Sequence, residues 1–269
     1  MVCFPNAKIN IGLQIVEKRA DGFHNLNSCF YPVGWNDVLE IIPAQTFGFS
    51  SSGLAIPGHV AGNLCVKAYD LLKRDFGLPP VQMHLLKIVP IGAGLGGGSA
   101  DAAFALKLLN DFFDLKLSTN ILENYARTLG SDCAFFVQNK PQYCYQKGDQ
   151  FADIDLSLKG KFIVLAYPNL HISTAEAYAG VRPQKPEIDL QKALKMPVVA
   201  WREVVKNDFE NHLFAKYPVL AQTKAQLYDA GAVYASMTGS GSTLFGIFES
   251  APDLKNFFSN YVVWKGQLT

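Results

Sequence analysis

From residue 9 to residue 16 every second residue, beginning with Ile9, is a large aliphatic one, and this period of two is typical of a β-strand. The charged, glycine-containing segment 17–24 then predicts a loop. Further apolar runs predict strands at residues 38–42, 81–89, 161–167, 233–237, 244–248 and 262–264. Strands are therefore expected along the whole chain.

Helical segments alternate with these strands. Asn63 can cap a helix that runs to Phe76, where Gly77 is typical of a helix end. Ser99 can cap a second helix, rich in Ala and Leu, over residues 102–109. Further helices are predicted at residues 119–129, 200–212, 218–230 and 253–258.

The order of elements changes near residue 155. Beyond this point the predicted order is strand, helix, strand, strand, helix, strand, which is the split β-α-β arrangement. We therefore predict an α+β protein with two domains, residues 1–155 and residues 156–269.

Composition and charge disfavour several classes of protein. Of the 269 residues, 49% are hydrophobic and 17% are charged, so the chain can bury a sizeable core. A net charge of +1 gives no basic field for nucleic acid or an anionic membrane. We see no signal-peptide pattern and no apolar run long enough to cross a bilayer. The five cysteines form no C-x-x-C pair and the histidines lack metal-ligand spacing. We expect a cytoplasmic protein with no nucleic-acid or membrane partner, and the pattern indicates no oligomeric state.

A glycine-rich segment precedes the second helix. Five of the seven residues from 92 to 98 are glycine, although each costs about 0.5–1 kcal/mol relative to alanine in backbone entropy. Glycine leaves room beside the backbone and exposes N–H groups, and the following helix adds the positive end of its dipole. We predict a phosphate nest at residues 92–99. The alternative is close packing of a helix on a strand, without a ligand.

The motif alone does not identify the phosphate. Residues 92–97 fit G-x-G-x-x-G, but a dinucleotide fold would place a strand ending in an acidic residue after the helix, and here another helix follows. The chain contains no G-x-x-x-x-G-K-[ST] loop and no H-R-D or D-F-G segment. A dinucleotide site, a Walker loop and a protein kinase are therefore disfavoured.

Three further features each allow two interpretations. Lys8, just before the first strand, is either an ordinary solvated lysine or a functional one. Asp132 lies between a helix end and an apolar run, so it either caps the next turn or is a partly buried carboxylate that can take a proton. Residues 238–242, Thr-Gly-Ser-Gly-Ser, form either a plain hairpin turn or a second backbone nest at a domain junction.

Taken together, residues 5–10, 90–103 and 237–242 resemble, in order and type, the motifs of the GHMP kinase superfamily of small-molecule kinases. Residues 19–24, 129–132 and 171–178 are similar to a branch of it whose substrate carries a cytidine diphosphate. The resemblance covers nearly the whole chain. It implies an N-terminal domain like domain 2 of ribosomal protein S5, followed by a ferredoxin-like C-terminal domain.

The resemblance also implies roles for individual residues. Asp132 corresponds to the catalytic acid, Lys8 to the lysine beside it, and Ser99 to a residue near the phosphates and Mg²⁺. The residues implied to bind ATP are Asn63 and Lys87 at the base and Pro90, Ile91, Gly92, Ala93, Gly94, Leu95, Gly96, Gly97, Gly98, Ser99 and Ala100 around the triphosphate. The residues implied to bind the substrate are Asn10, at the substrate end of the first predicted strand, and three residues around a cytosine ring. Phe23 and Tyr178 would lie on its two faces and His24 at its edge.

The reaction implied by the resemblance is transfer of the γ-phosphoryl group of ATP to a tertiary hydroxyl of a cytidylyl-diphosphate-linked methylerythritol, in the making of isoprenoid precursors. Its cofactors would be ATP and Mg²⁺. Two alternatives stay open. One is a related kinase acting on homoserine, mevalonate or a sugar, and the other is a non-catalytic nucleotide-binding regulator with the same fold.

Overall fold

The computed structural model describes residues 1–269. The strands are β1 (Val2–Cys3), β2 (Asn6–Lys18), β3 (His24–Asn36), β4 (Val38–Pro43), β5 (Gly48–Gly53), β6 (Val81–Lys87), β7 (Gln142–Tyr145), β8 (Gln150–Asp153), β9 (Phe162–Tyr167), β10 (Tyr234–Met237), β11 (Leu244–Phe248) and β12 (Val262–Gln267). The helices are α1 (Leu64–Phe76), α2 (Gly97–Phe112), α3 (Thr119–Leu129), α4 (Phe135–Gln138), α5 (Thr174–Ala179), α6 (Leu190–Ala193), α7 (Trp201–Val204), α8 (Glu210–Lys216) and α9 (Pro218–Asp229).

The chain forms two compact units, and neither is one continuous stretch of sequence. Unit 1 comprises residues 1–7, 35–91 and 96–140, and unit 2 comprises residues 8–34, 92–95 and 141–269. The boundary that we expected between residues 155 and 156 stays a prediction. None of the helices combines the length and the apolar character needed to cross a membrane.

Unit 1 contains a four-stranded sheet in the order β1-β4-β6-β5, in which β4 is antiparallel and β5 parallel to β6. Alternate residues of β4 and β6 are buried, as a strand with one covered face requires. Helix α2 packs against α1, α3, α4 and β4. Its small and aliphatic residues are buried, so it forms the centre of this unit.

The start of α1 follows the sequence prediction, whereas the start of α2 does not. The side chain of Asn63 accepts a hydrogen bond from the backbone of Cys65, and Gly77 ends α1 in the left-handed region at φ 65°. Ser99 is not the cap of α2, because the helix already begins at Gly97. The capping position belongs to Gly96, whose φ of 70° lets the glycine-rich turn lead directly into the helix.

Unit 2 contains two four-stranded sheets. One has the order β10-β11-β9-β12 with every neighbouring pair antiparallel, which is the strand order of a split β-α-β sheet. The other has the order β2-β3-β7-β8. The strands β9, β10 and β11 are almost wholly buried, in agreement with their unbroken apolar sequences.

Two predicted helices of unit 2 are wrong in detail. Residues 253–258 form turns, because the Asp253 side chain accepts a hydrogen bond from the Lys255 backbone at 3.1 Å and so favours an Asx turn. Residues 200–212 form two short helices, α7 and the start of α8, separated at Asn207. The amide oxygen of Asn207 accepts a hydrogen bond from the Phe209 backbone and breaks the helical pattern.

Candidate functional site

The glycine-rich segment has the backbone geometry of an anion nest. Gly92, Gly94 and Gly96 have φ values of 66°, 80° and 70°, and they alternate with the buried residues Ala93 and Leu95. A run in which left-handed residues alternate with ordinary ones turns successive N–H groups toward one side of the chain. The phosphate nest predicted from the sequence is therefore compatible with the backbone.

Packing also explains several of these glycines. A side chain at Gly94 would clash with the carbonyl oxygen of Thr238, and one at Gly92 would lie 2.9 Å from the His171 ring. Gly98 is different, because a side chain there would meet nothing within 4 Å, and its φ is not in the left-handed region. Gly98 is exposed beside the first turn of α2. Packing thus explains why residues 92 and 94 are glycine. It does not explain Gly98, beside which there is open space at the start of α2.

The turn that bears Asp132 packs on the start of α2. A side chain at Gly130 would lie 3.2 Å from the Cys133 sulfur and 4.0 Å from the Ser99 hydroxyl. Ser99 and Cys133 interact through their side chains, and burial raises the pKa of the Cys133 thiol to about 12, so this thiol is neutral. Asp132 itself is half-buried. The turn between α3 and α4, which contains Asp132, therefore packs on the first turn of α2.

Lys8 is not an ordinary solvated lysine, since its exposed fraction is 3%. Its ammonium donates hydrogen bonds to Asn10 Oδ1 at 2.5 Å and to the Gly94 carbonyl at 3.3 Å. It also lies 4.7 Å from the centre of the Phe30 ring, a distance at which the ring face attracts a cation. These contacts hold the Lys8 ammonium beside the glycine-rich segment.

The second glycine-rich string, residues 238–242, joins the paired strands β10 and β11, so it is a hairpin connection. It also contacts the first string, because the Thr238 hydroxyl donates to the Gly94 carbonyl at 3.1 Å. The amide of Asn207 donates to the carbonyls of Met237 and Gly239, at 2.8 and 2.9 Å. The sequence string Thr-Gly-Ser-Gly-Ser indicated the turn, whereas no sequence signal pointed to Asn207.

Asn10 links these pieces. Its backbone N–H donates to the Thr238 hydroxyl at 3.0 Å, and its side-chain amide donates to the Ser28 hydroxyl at 3.0 Å. Because the Asn10 side chain also accepts from Lys8, this buried residue of β2 is bonded to β3, to the second glycine-rich string and to the predicted catalytic lysine.

The three residues predicted to hold a cytosine ring lie in unit 2. The ring of His24 stacks on Tyr178, with centroids 4.7 Å apart and planes 24° apart, and Tyr178 also packs edge-on against Phe209 at 4.9 Å. Phe23 is 60% exposed, and the Lys147 ammonium lies 5.3 Å from its ring centre. Burial, and to a lesser degree the charge of Lys18, lowers the pKa of His24 below its usual value.

Two residues predicted to lie at the nucleotide base are in unit 1. Asn63 caps α1 through the 2.9 Å hydrogen bond from the Cys65 backbone. Lys87 is buried, and its ammonium donates to Asp37 at 2.5 Å and to Asp101 at 2.7 Å. The sequence analysis did not single out either aspartate, because each lies in an ordinary local pattern far from Lys87 along the chain.

The fold and these contacts define a class of protein, and the comparison with protein families identifies it. The family described as the GHMP kinase N-terminal domain matches residues 63–140, and the GHMP kinase C-terminal domain matches residues 191–262. The chain belongs to the GHMP kinase family. The two-domain α+β fold implied by the sequence is therefore confirmed.

Individual relatives indicate the branch of the family to which the chain is similar. The chain is 52% identical, over 94% of both chains, to 4-diphosphocytidyl-2-C-methyl-D-erythritol kinase of Cytophaga hutchinsonii. It is 46% identical, over the whole of both chains, to the enzyme of the same name from Parabacteroides distasonis. A crystal structure of 4-(cytidine 5'-diphospho)-2C-methyl-D-erythritol kinase superposes with a TM-score of 0.86 at 29% identity, covering 100% of this chain and 99% of the other. Within the family, the chain thus lies in the branch of 4-diphosphocytidyl-2-C-methyl-D-erythritol kinases, which are phosphotransferases with an alcohol acceptor.

Proposed function

We propose that the chain transfers the γ-phosphoryl group of ATP to the 2-hydroxyl of 4-diphosphocytidyl-2-C-methyl-D-erythritol, a step of non-mevalonate isoprenoid precursor synthesis. The relatives that share about half of its residues carry this name. The observation that carries the proposal is the packing of the Asp132 turn on Ser99 at the start of α2. In this proposal the carboxylate of Asp132 faces the start of α2, a helix end that favours phosphate.

The nucleotide site in this proposal is the glycine-rich segment. The backbone N–H groups of residues 94–99 and the dipole of α2 stabilise the negative charge of the triphosphate. In this proposal Asn63 lies at the nucleotide base and residues 90–100 surround the phosphates. Lys87, also predicted at the base, is 3% exposed, and its ammonium is bound by Asp37 and Asp101. Open space at Gly98 fits a bulky ligand close to the backbone.

The site is compatible with a magnesium ion, which needs few ligands from the protein. No group of three His, Cys, Asp or Glu side chains is arranged to hold a metal. Mg²⁺ is normally held by one or two protein ligands together with the phosphates and water, so a protein cage is not required. Ser99 is the proposed protein ligand, and the ion would offset charge on the phosphates.

The transfer itself requires one proton acceptor. The substrate oxygen forms a bond to the γ-phosphorus, the bond from that phosphorus to the bridging oxygen of ADP breaks, and the hydroxyl proton passes to Asp132. A positioned acceptor of this kind contributes about 10²–10⁴ in rate. Lys8, held by Asn10 and Gly94, supplies positive charge that stabilises the developing alkoxide.

The cytosine ring is the proposed basis of specificity. Phe23 and Tyr178 lie on its two faces, and His24 reads its edge. Since His24 stacks on Tyr178 in this structure, His24 must leave that face when the cytosine ring binds there. A lowered pKa keeps His24 neutral at neutral pH, so one ring nitrogen donates and the other accepts.

A coupled ATP-consumption assay tests the proposal. We expect turnover with the cytidylyl methylerythritol substrate and none with homoserine, mevalonate or a simple sugar. Asp132→Asn should lower kcat by about 10²-fold or more while ATP affinity changes less than about twofold, because the amide cannot accept the proton. Lys8→Ala should also lower kcat. Asp229→Asn, at an exposed acid of α9, is the matched control and should leave kcat unchanged.

The results distinguish the proposed kinase from a related small-molecule kinase and from a non-catalytic regulator. Turnover of Asp132→Asn near the wild-type value would show that Asp132 is not the proton acceptor. Turnover with mevalonate or homoserine instead would favour the related kinase. ATP binding without turnover of any alcohol would favour the non-catalytic regulator.

A further inference from the structure

Residues 206–210, Lys-Asn-Asp-Phe-Glu, form a connector between the two sheets of unit 2. On one side the connector pairs with β2. The Leu13 backbone N–H donates to the Lys206 carbonyl and the Asp208 N–H donates to the Leu13 carbonyl, both at 2.9 Å. The Asp208 carboxylate also accepts a hydrogen bond from the Ile15 N–H at 2.7 Å. The connector therefore lies along the outer edge of the sheet that begins with β2.

On its other side the connector holds the second glycine-rich string. The Asn207 amide donates to the carbonyls of Met237 and Gly239, which are the residues before and after Thr238. The Glu210 carboxylate, which is 8% exposed, accepts a hydrogen bond from the Met237 N–H at 2.8 Å. The connector thus restrains the backbone on both sides of Thr238.

The Asn207 side chain is fully engaged inside the protein. Its exposed fraction is 2%, and its amide oxygen accepts a hydrogen bond from the Phe209 N–H at 3.0 Å. Because the site is buried, water cannot easily take over the two bonds that the amide donates. Removal of this amide would therefore leave two buried carbonyls without this donor and free the string to move.

Thr238 links the string to the proposed catalytic lysine. Its hydroxyl accepts a hydrogen bond from the Asn10 N–H at 3.0 Å and donates one to the Gly94 carbonyl at 3.1 Å. The side-chain oxygen of Asn10 and the same Gly94 carbonyl both accept hydrogen bonds from the Lys8 ammonium. A displacement of Thr238 would therefore disturb both groups that hold this ammonium.

The same connector supports the proposed cytosine site. The ring of Phe209, which is 1% exposed, packs edge-on against Tyr178 with the ring centres 4.9 Å apart. Phe209 follows Asn207 by two positions. One short segment thus contacts both the string beside Lys8 and the residue proposed to stack on the cytosine ring.

We propose that Asn207 is a positioning residue for phosphoryl transfer, which acts through Thr238 on the Lys8 ammonium. Phe209, in the same connector, positions Tyr178 for the cytosine ring. Phosphoryl transfer depends on placement and on charge, so a small displacement of a group near the reacting atoms lowers the rate. Loss of the Asn207 bonds therefore acts on kcat, and loss of the Phe209 contact acts on substrate binding. The inference rests on the proposed function.

Steady-state kinetics of Asn207→Ala and Phe209→Leu test the two roles. Asn207→Ala should lower kcat about tenfold or more, with both KM values within about twofold of the wild type. Phe209→Leu should raise the KM for the cytidylyl substrate about threefold to fivefold, with kcat and the KM for ATP within about twofold. A merely structural role would lower the melting temperature of both variants and change their kinetic parameters alike.

The matched control is Asn110→Ala, near the C-terminal end of α2. The Asn110 amide oxygen also accepts a hydrogen bond from a backbone N–H, that of Leu117 at 2.8 Å. This variant loses a comparable local bond away from the connector. It should leave kcat and both KM values unchanged.

A double-mutant cycle tests whether Asn207 acts through Thr238. Thr238→Val keeps the shape of the side chain but removes the hydroxyl that bonds to Asn10 and Gly94, so kcat should fall. In Thr238→Val, the further change Asn207→Ala should lower kcat less than about threefold, because the contact through which it acts is already lost. If Asn207→Ala does not fold, Asn207→Asp replaces it, since it keeps the side-chain shape and the oxygen that accepts from Phe209.

Wild-type kcat in the folded Asn207 variant, or in Thr238→Val, would overturn the positioning role of Asn207. Effects of the two substitutions that multiply in the double variant would also overturn it. An unchanged KM for the cytidylyl substrate in Phe209→Leu would overturn the role of Phe209. Absence of wild-type turnover with the cytidylyl substrate would instead overturn the proposed function.

Discussion

At the scale of single residues, the glycines show where sequence reasoning succeeds and where it stops. Their number before α2 predicted a backbone nest, and the left-handed conformations of Gly92, Gly94 and Gly96 fit one. The sequence could not say which glycine packs and which leaves space. That distinction depends on Thr238 and His171, which are far away in the chain.

Gly98→Ala is the substitution that separates the two interpretations. Packing allows a methyl group there, and alanine favours helix over glycine by up to about 1 kcal/mol, so the melting temperature should stay the same or rise. If phosphates approach this backbone, ATP affinity should nevertheless fall about tenfold. Differential scanning fluorimetry and ATP titration measure the two effects.

The control for this substitution is Gly34→Ala, where a methyl group would make only ordinary contacts, at 3.7 Å from Trp264. It should leave ATP affinity unchanged. Wild-type ATP affinity in Gly98→Ala would mean that the nucleotide does not approach residue 98.

At the scale of elements, local signals predicted the strands and helices that carry their own pattern. The strand predicted at residues 9–16 and the cap and stop of α1 are confirmed, although both faces of β2 are buried up to Leu13. Strands β3 and β5 and the hairpin β7–β8 were missed. None of them carries a regular alternation, so they acquire strand structure from their neighbours. The broken helix at Asn207 was missed because its hydrogen bonds go to Met237 and Gly239.

The roles at the candidate site came from the family resemblance and not from periodicity. Alone, Lys8 and Asp132 each allowed two interpretations, and only tertiary contacts bury the lysine and place the Asp132 turn on α2. The Asp37 and Asp101 partners of Lys87 were invisible, since ion pairs between distant segments leave no local pattern.

Helix α5 offers a prediction at this scale, because it carries Tyr178 and is only six residues long. The Ser173 hydroxyl caps it by accepting a hydrogen bond from the Glu176 backbone at 3.2 Å. Ser173→Ala removes this bond and should cost about 1 kcal/mol locally. We expect a KM for the cytidylyl substrate raised about threefold to fivefold with an unchanged KM for ATP, measured by steady-state kinetics.

Asp189→Ala is the matched control, since the exposed Asp189 caps another short helix, the four-residue α6, by accepting from the backbone of Gln191 and Lys192. It should change stability to a similar extent but neither KM. If Ser173→Ala changes neither KM, or changes both equally, α5 does not order the cytosine site.

At the scale of the whole molecule, the charges are almost balanced, with 24 basic and 23 acidic residues. Such a chain has no long-range field to attract an anionic substrate. Anion binding must then depend on local features. These are the predicted nest at residues 92–99, the N-terminal end of α2, and buried lysines whose neighbours favour the charged form. In the Asp37–Lys87–Asp101 cluster two carboxylates share one buried ammonium, so ionisation of both would leave an excess negative charge inside the fold. Such a charge should lower the stability of the whole protein.

The pH dependence of unfolding tests this expectation. The pKa of Asp101 is about 7 in the folded protein and about 3.9 in an unfolded chain, so the folded state binds more protons between these values. The contribution of Asp101 to stability therefore falls as pH rises from about 4 to about 7, and it stays lost above that range. An asparagine side chain at this position would not titrate, so Asp101→Asn should gain stability relative to the wild type, by more than about 1 kcal/mol, between pH 5 and pH 8. Urea unfolding at several pH values measures this difference, with the exposed Asp229→Asn as the control that should follow the wild type. A difference between Asp101→Asn and the wild type that is constant with pH, or that moves in the opposite direction, would show that Asp101 is ionised throughout and that the excess charge is balanced elsewhere.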